Sequence, residues 1–372
     1  MKQADLIGKI AILQLLFHLP MMTFSAIRQQ PVIECVASMR LKEMDKSLDS
    51  ALQFLELVKK EGGWKNIGIP KKSIKIGDSG NTITDIKDRL QKQGIKSVDS
   101  NKIFDESLAS AIKNFQCLHG LIPDGKVGRE TIHEMNVSVE ERITMIRANL
   151  ERVKRLIASD HVRLALINIP SFVVYVFEQG EMVFSSKVVV GKNNTQTAEF
   201  EAEMNAVILN PYWEIPNSIL LKEILPDMKK DPTYLERNHM EWVGDRLRQR
   251  PGPDNALGMI KFLFPNPYNM YLHDTPAKDL FSKEKRAFSH GCIRVADPMK
   301  LAVFALSGTE WEDSTAIRST LEKETDKRLV LQSKIHVEVT YLTAFVDGNG
   351  NLNFRRDLYK KQLIPPKIPK KG

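Results

Sequence analysis

At 372 residues the chain is longer than one hydrophobic core ordinarily spans, which points to more than one folding unit. With 42% hydrophobic and 27% charged residues it holds enough apolar material for packed cores, which excludes a chain disordered throughout. The formal charge of +8 is spread along the whole length and reads as a solvated basic surface, with no nucleic acid as partner.

Lys2 and Lys9 bracket a short start, and residues 10–17 are apolar apart from Gln14. Residues 1–27 therefore read as a signal peptide, with Pro20, Thr23, Ser25 and Ala26 as its cleavage region, or as an uncleaved anchor that associates with the inner membrane. The stretch is short for a membrane span, which needs about 20 apolar residues. Cys35, Cys117 and Cys292 are an odd number, so in an exported chain at least one thiol is unpaired within it. A pairing of Cys35 with Cys117 is left open by the sequence.

Residues 40–72 form a helical lead-in, in which Leu48, Leu52, Leu55 and Val58 share one helical face before Gly62, Gly63 and Pro70 break the chain around Trp64. Residues 73–137 contain three short helices. Ile83, Ile86 and Leu90 line one, and Leu108, Ile112 and Phe115 line the next, which Asp105 caps and Gly120 stops; the turn at 123–131 feeds the third. Ser138 and Glu141 make a capping box that opens a connector helix over 138–160.

At His161 the apolar period changes from helical to alternating, predicting a strand to about Asn168. Residues 172–177 and 182–190 flank a turn at Gln179 and Gly180 as a hairpin, and 206–209 is a further strand. Residues 218–245 read as a helical, irregular insertion with no strand ladder. Residues 334–346 alternate again and end in a turn at 347–350, and 347–372 is a C-terminal extension whose Pro365, Pro366 and Pro369 among lysines predict a solvated tail. The fold class is α+β multidomain: a small three-helix module followed by a mainly β domain over 161–346 with a helical insertion.

The chemistry concentrates in His273 and the run Ser289-His290-Gly291-Cys292-Ile293-Arg294. A thiolate is the nucleophile in cysteine chemistry, and a neighbouring imidazole supplies its activation and the proton shuttle of acyl transfer. Glycine at 291 lets the backbone turn sharply beside the sulfur, so that main-chain N–H groups can face a developing oxyanion. Zinc held by His273, His290 and Cys292 is the competing chemical reading. It lacks any accompanying pattern such as H-E-x-x-H, so we expect neither metal nor organic cofactor. A papain-like protease is expected to place its His well after its Cys, whereas here His273 comes first.

This combination resembles the L,D-transpeptidase family with its YkuD-type catalytic domain, whose signature is a His, a spacer of this length, then Ser or Thr before His-Gly-Cys. The likeness continues in Gly258-Met259-Ile260-Lys261-Phe262, in Tyr271-Leu272-His273-Asp274-Thr275-Pro276 and in Asn210-Pro211-Tyr212-Trp213-Glu214-Ile215-Pro216. It implies that Cys292 is acylated and that His273 acts as general base or ion-pair partner, its ring oriented by the backbone carbonyl of Asp274. The main chain of His290, Gly291 and Cys292 is then expected to shape the oxyanion hole, with Arg294, Ser289, Tyr271 and Asp274 forming the substrate site.

The 73–137 module is similar to a three-helix peptidoglycan-binding domain, on Ile76-Gly77-Asp78-Ser79-Gly80, Leu90-Gln91, Phe115-Gln116, His119-Gly120-Leu121 and Asp124-Gly125-Lys126-Val127-Gly128. With the Gly62-Gly63-Trp64 lead-in, the order resembles the larger branch of the family. Longer members of that branch carry a scaffold region before Gly-Gly-Trp that this chain has little room for. The resemblance implies peptidoglycan peptide stems, or a wall-anchored protein, as partners in the periplasm or cell envelope. It further implies thioester formation on a tetrapeptide stem with transfer to an amine; hydrolysis of the thioester or a non-catalytic wall-binding role are the alternatives. Between its two flanking segments, residues 217–256 mix Ile219, Leu220, Ile224 and Leu225 with Lys222, Glu223, Lys229 and Lys230, the pattern of a covering lid.

Overall fold

A computed structural model describes residues 39–95, 101–158 and 161–363. The expected leader, Cys35 and the proline-containing tail lie outside the described residues. Residues 53–143 make one compact unit; residues 39–52 together with 144–363 make the other. Among the described residues no helix is long and apolar enough to cross a membrane.

The lead-in helix α1 is Met44–Lys60, with Leu48, Leu55 and Val58 buried. Helices α2 (Asn81–Lys92), α3 (Glu106–Leu118) and α4 (Arg129–Asn136) pack Ile83, Ile86, Leu90, Leu108, Ile112, Phe115 and Met135 into one core, as the helical spacing predicts. Asp105 caps α3 by accepting from the Leu108 N–H at 2.8 Å. The segment from Asp124 onward is tied down by Gln116, whose amide donates to Asp124 Oδ1 and the Lys126 carbonyl at 2.9 Å while its oxygen accepts from the Gly125 N–H at 2.9 Å. Much of that motif is therefore internal scaffolding. Helix α5 (Val139–Ala158) opens on the expected capping box, with the Glu141 N–H donating to Ser138 Oγ at 3.1 Å and the Ser138 N–H to the Glu141 carboxylate at 3.0 Å.

The second unit is built on strands β1 (Arg163–Asn168), β2 (Val173–Glu178), β3 (Glu181–Gly191), β4 (Phe200–Leu209), β5 (Trp213–Glu214), β6 (Met240–Val243), β7 (Arg246–Gln249), β8 (Ile260–Leu263), β9 (Leu272–His273), β10 (Ala287–Ser289), β11 (Ile293–Val295), β12 (Lys327–Thr340), β13 (Ala344–Val346) and β14 (Leu352–Phe354). Nine of them form one sheet in the order β10-β3-β11-β9-β8-β4-β12-β1-β2, and the extra pairing of β2 with β3 closes it on itself. Ala165, Ile167, Val174, Val176, Phe200, Phe262, Leu272, Ile293, Val337 and Val339 fill its core. Alternation along each strand puts these on one face and their neighbours on the other.

Three expectations need correction. β4 begins at Phe200, not 206, because its outward positions Glu201 and Glu203 interrupt the apolar pattern that a short window detects. The insertion holds helical turns at Asn217–Ile219, Leu220–Ile224, Leu225–Lys230 and Tyr234–Arg237, but β6 and β7 follow and join β5 in a three-stranded sheet. Its own small core is Ile215, Leu220, Ile224 and Leu247. In the C-terminal extension β14 pairs with β13, and Tyr359 is buried. The 334–346 run is split at 341–343, where the Asn168 side chain bonds both backbone groups of Leu342 and the Asn149 side chain accepts from the Thr343 N–H.

Candidate active site

Strand β11 runs parallel to β9 with Arg294 opposite His273, and β8 runs antiparallel to β9 with Lys261 opposite His273. Three adjacent strands thus present Lys261, His273 and Arg294 together, with Cys292 at the entrance to β11. The His273 ring donates from Nδ1 to the backbone carbonyl of Asp274 at 2.5 Å, which leaves Nε2 as the unprotonated nitrogen of a neutral imidazole. Asp274 is itself fixed, its carboxylate accepting from the Met259 N–H at 3.0 Å and pairing with Lys278. Gly258 permits that approach. Its φ is +60°, and a Cβ there would stand 2.5 Å from the Asp274 carboxylate.

Burial, and after it the charge of Arg294, push the His273 pKa down to about 3. Burial likewise pushes the Cys292 thiol up; hydrogen bonding from Tyr271 and the charges of Lys261 and Arg294 offset only part of this. Both shifts favour the uncharged forms, a thiol and an imidazole, in the resting site. Tyr271 hydrogen-bonds Cys292, and its ring is 5.6 Å from that of His273, with the Lys261 ammonium 4.0 Å over its face. Burial lowers the Lys261 pKa. Burial also lowers that of Arg294, whose Nε is buried with no hydrogen-bond partner.

The loop carrying the sulfur is held from beneath. The Ser289 hydroxyl donates to the Cys292 carbonyl at 2.6 Å and accepts from the Gly291 N–H at 3.1 Å. Thr197 donates to the Gly291 carbonyl at 2.8 Å while accepting from the Gly191 N–H at 2.9 Å. Thr195 and the Lys192 N–H both donate to the Ser289 carbonyl at 3.0 Å. Tyr359 donates to the Gly191 carbonyl at 2.6 Å, so the C-terminal segment buttresses the same loop. Gly291 sits at φ +118°, a conformation L side chains rarely adopt. His290 is exposed, and its Nε2 meets Glu223 of the insertion at 2.7 Å.

Of the residues singled out by sequence, His273, Tyr271, Asp274, Ser289, Gly291, Cys292 and Arg294 gather here, and His290 reaches outward from the same loop. Ser289 and the Asp274 side chain are engaged inside the scaffold. Thr197 and Tyr359 went unmarked, since they are distant in the chain, and Glu223 was marked only as part of the lid pattern. Lys261 stood in a marked segment with no role, and its strand alternation was the available signal. Cys117 is disulfide-bonded, and Cys292 is the free cysteine among the described residues.

Residues 163–315 match the model of the L,D-transpeptidase catalytic domain, and residues 79–135 match one described as "Putative peptidoglycan binding domain". A Haemophilus influenzae protein described as "Putative L,D-transpeptidase" is 31% identical over 279 residues, covering 67% of this chain and 56% of the relative. The chain therefore spans little more than half that relative's length. Solved structures of L,D-transpeptidases from Xylanimonas cellulosilytica and Stackebrandtia nassauensis are each 14% identical and cover 73% of this chain, and 100% and 97% of their own, at TM-scores of 0.24 and 0.27. At those scores the two likenesses carry no further weight.

Proposed function

We propose, since the chain carries an L,D-transpeptidase catalytic domain preceded by a peptidoglycan-binding-type domain, that it is a cell-envelope enzyme that cross-links peptidoglycan stems through a thioester on Cys292. The observation that carries this is the neutral, ring-locked His273 beside the strand that Cys292 opens. With Nδ1 committed to the Asp274 carbonyl, Nε2 accepts the thiol proton as sulfur attacks the carbonyl of the third residue of a tetrapeptide stem. A general base of this kind contributes about 10²–10⁴-fold.

The tetrahedral oxyanion forms beside the main-chain N–H groups of His290 and Cys292, that of Gly291 being donated to Ser289 Oγ. A donor in such a position is worth about 3 kcal/mol. His273 returns the proton to the departing amine of D-alanine, leaving the thioester. An amine of a neighbouring stem then attacks, loses its proton to His273, and expels the Cys292 thiolate, which is reprotonated. Arg294, with a buried unpaired donor, and Tyr271 contact the substrate, while Ser289 and Asp274 act by positioning the loop and the imidazole. Lys261 and Arg294 add positive charge that favours the developing thiolate.

Intact-mass and product analysis with purified muropeptides tests this. Thioester and cross-linked product are expected with the natural chain, neither with Cys292→Ala, and both with Cys117→Ala. An adduct on Cys292→Ala refutes the nucleophile; a thioester resolved only by water replaces cross-linking with carboxypeptidase activity.

A further inference from the structure

On the face of the closed sheet opposite its core, β4 and β12 set four ionisable side chains in two cross-strand pairs. His336 stands opposite Glu203, and Glu338 opposite Glu201. The alternate residues Ile335, Val337 and Val339 point into the apolar core, so these four face away from it. One ligand atom from each of Glu201, His336 and Glu338 lies within 4.8 Å of the other two.

The histidine is the informative member. It is 4% exposed, and its Nδ1 is 2.9 Å from Glu203 Oε1. A carboxylate only accepts, so Nδ1 carries a proton, and whenever the ring is neutral Nε2 is a bare lone pair. That atom is buried with no hydrogen-bond partner, and the nearby Glu338 Oε2, at 3.8 Å, is another acceptor. A buried lone pair facing carboxylate oxygens is costly unless a cation lies between them.

A proton meets this only in part: burial lowers the His336 pKa, hydrogen bonds and charge from Glu338 and Glu203 outweigh it and leave the pKa raised, but at 3.8 Å an N–H on Nε2 is beyond hydrogen-bond reach of Glu338. A divalent ion answers it better. Zinc at its usual bond lengths spaces tetrahedral ligand atoms about 3.4 Å apart, so the three atoms need only small side-chain adjustments.

We propose that Glu201, His336 and Glu338 bind a divalent transition-metal ion of the zinc type, with water completing its shell. The Glu203–His336 bond supplies the outer-shell contact by which a ligating histidine donates its second ring nitrogen to a carboxylate. Arg155 acts electrostatically on Glu338 and offsets one of the three carboxylate charges, leaving an excess that a divalent ion cancels. Such an ion would pin β4 to β12, on the face of the sheet opposite the core.

The test uses untagged full-length protein carrying Cys292→Ala, so that the thiol takes no metal, stripped with chelator and titrated with Zn²⁺ and with Co²⁺. One equivalent of each is expected to bind, cobalt with the visible absorption of a four-coordinate site and zinc with a raised melting temperature. His336→Gln should weaken binding at least 100-fold. Glu203→Gln, which touches no metal, should weaken it about 10–100-fold. The double variant Glu201→Gln with Glu338→Gln gives the same reading should His336→Gln fold poorly. No stoichiometric binding, or binding that survives loss of the ligands in a folded variant, overturns the proposal.

Discussion

Thr197→Val probes whether the catalytic loop is held where chemistry needs it. The Thr197 side chain is fully buried, and its hydroxyl joins the Gly191 N–H to the Gly291 carbonyl. Valine keeps the shape and removes both bonds. Each orphaned buried group costs about 1–3 kcal/mol, so the loss is about 2–6 kcal/mol. In a unit on the order of 200 residues, where about 2–4 °C accompanies each kcal/mol, that lowers Tm by roughly 4–24 °C. The loop does not unravel, because Thr195 and the Lys192 N–H still hold the Ser289 carbonyl. Instead Gly291 shifts and carries the neighbouring main chain and Cys292 with it, and a displacement of that kind costs roughly 10–100-fold in rate. The assay is single-turnover acylation of Cys292 by a tetrapeptide stem, read by intact mass beside a melting curve, with Thr197→Ser as the variant that retains both bonds. Should Thr197→Val melt lower yet acylate as fast as the natural chain, the loop does not depend on this bridge.

Three other outcomes follow from the same geometry. Cys292 is half-buried and desolvation raises its thiol pKa, so its alkylation by iodoacetamide should rise with a midpoint above the usual thiol value of about 8.5; a plateau reached near pH 7 would mean a resting ion pair. His273 stays unprotonated in the fold down to about pH 3, while an unfolded imidazole takes its proton near 6.5. The unfolded state therefore binds more protons between those values, stability falls as pH falls through that window, and His273→Gln should flatten the acid limb of a melting-temperature profile; an unchanged limb refutes the assignment. Gly258→Ala combines a positive φ with a Cβ 2.5 Å from the Asp274 carboxylate, so it should displace the residue that orients His273 and lower the acylation rate at least about tenfold; an unaltered rate in a folded variant would remove Asp274 from the mechanism. In the first unit, Arg142→Ala removes the guanidinium 2.8 Å from the buried Glu134 carboxylate and should cost about 3–5 kcal/mol by denaturant melts, against little change for an exposed pair such as Lys154 with Glu151.

Local chemistry made much of this protein legible before any coordinates. Asp105 and the Ser138–Glu141 pair cap helices because capping needs only residues three apart, and Ile83, Ile86 and Leu90 define a buried face by spacing alone. The run around Cys292 announced acyl-transfer chemistry because a nucleophile, a glycine and a histidine stand within a few residues. The neighbours of that run were not legible. Lys261 reaches His273 through β8 and β9, Thr197 reaches Gly291 across 94 positions, and Tyr359 reaches Gly191 across 168. Strand pairing brings such residues together with no periodicity to mark it. The protonation state of the pair is likewise a tertiary property: the same His and Cys in water would titrate near their ordinary values, and it is burial, together with the cations from β8 and β11, that holds the imidazole neutral. Sequence determines which groups are available for the reaction, and the closed sheet decides which of them meet and in what charge state, because desolvation depends on what surrounds an atom and not on where it falls in the chain.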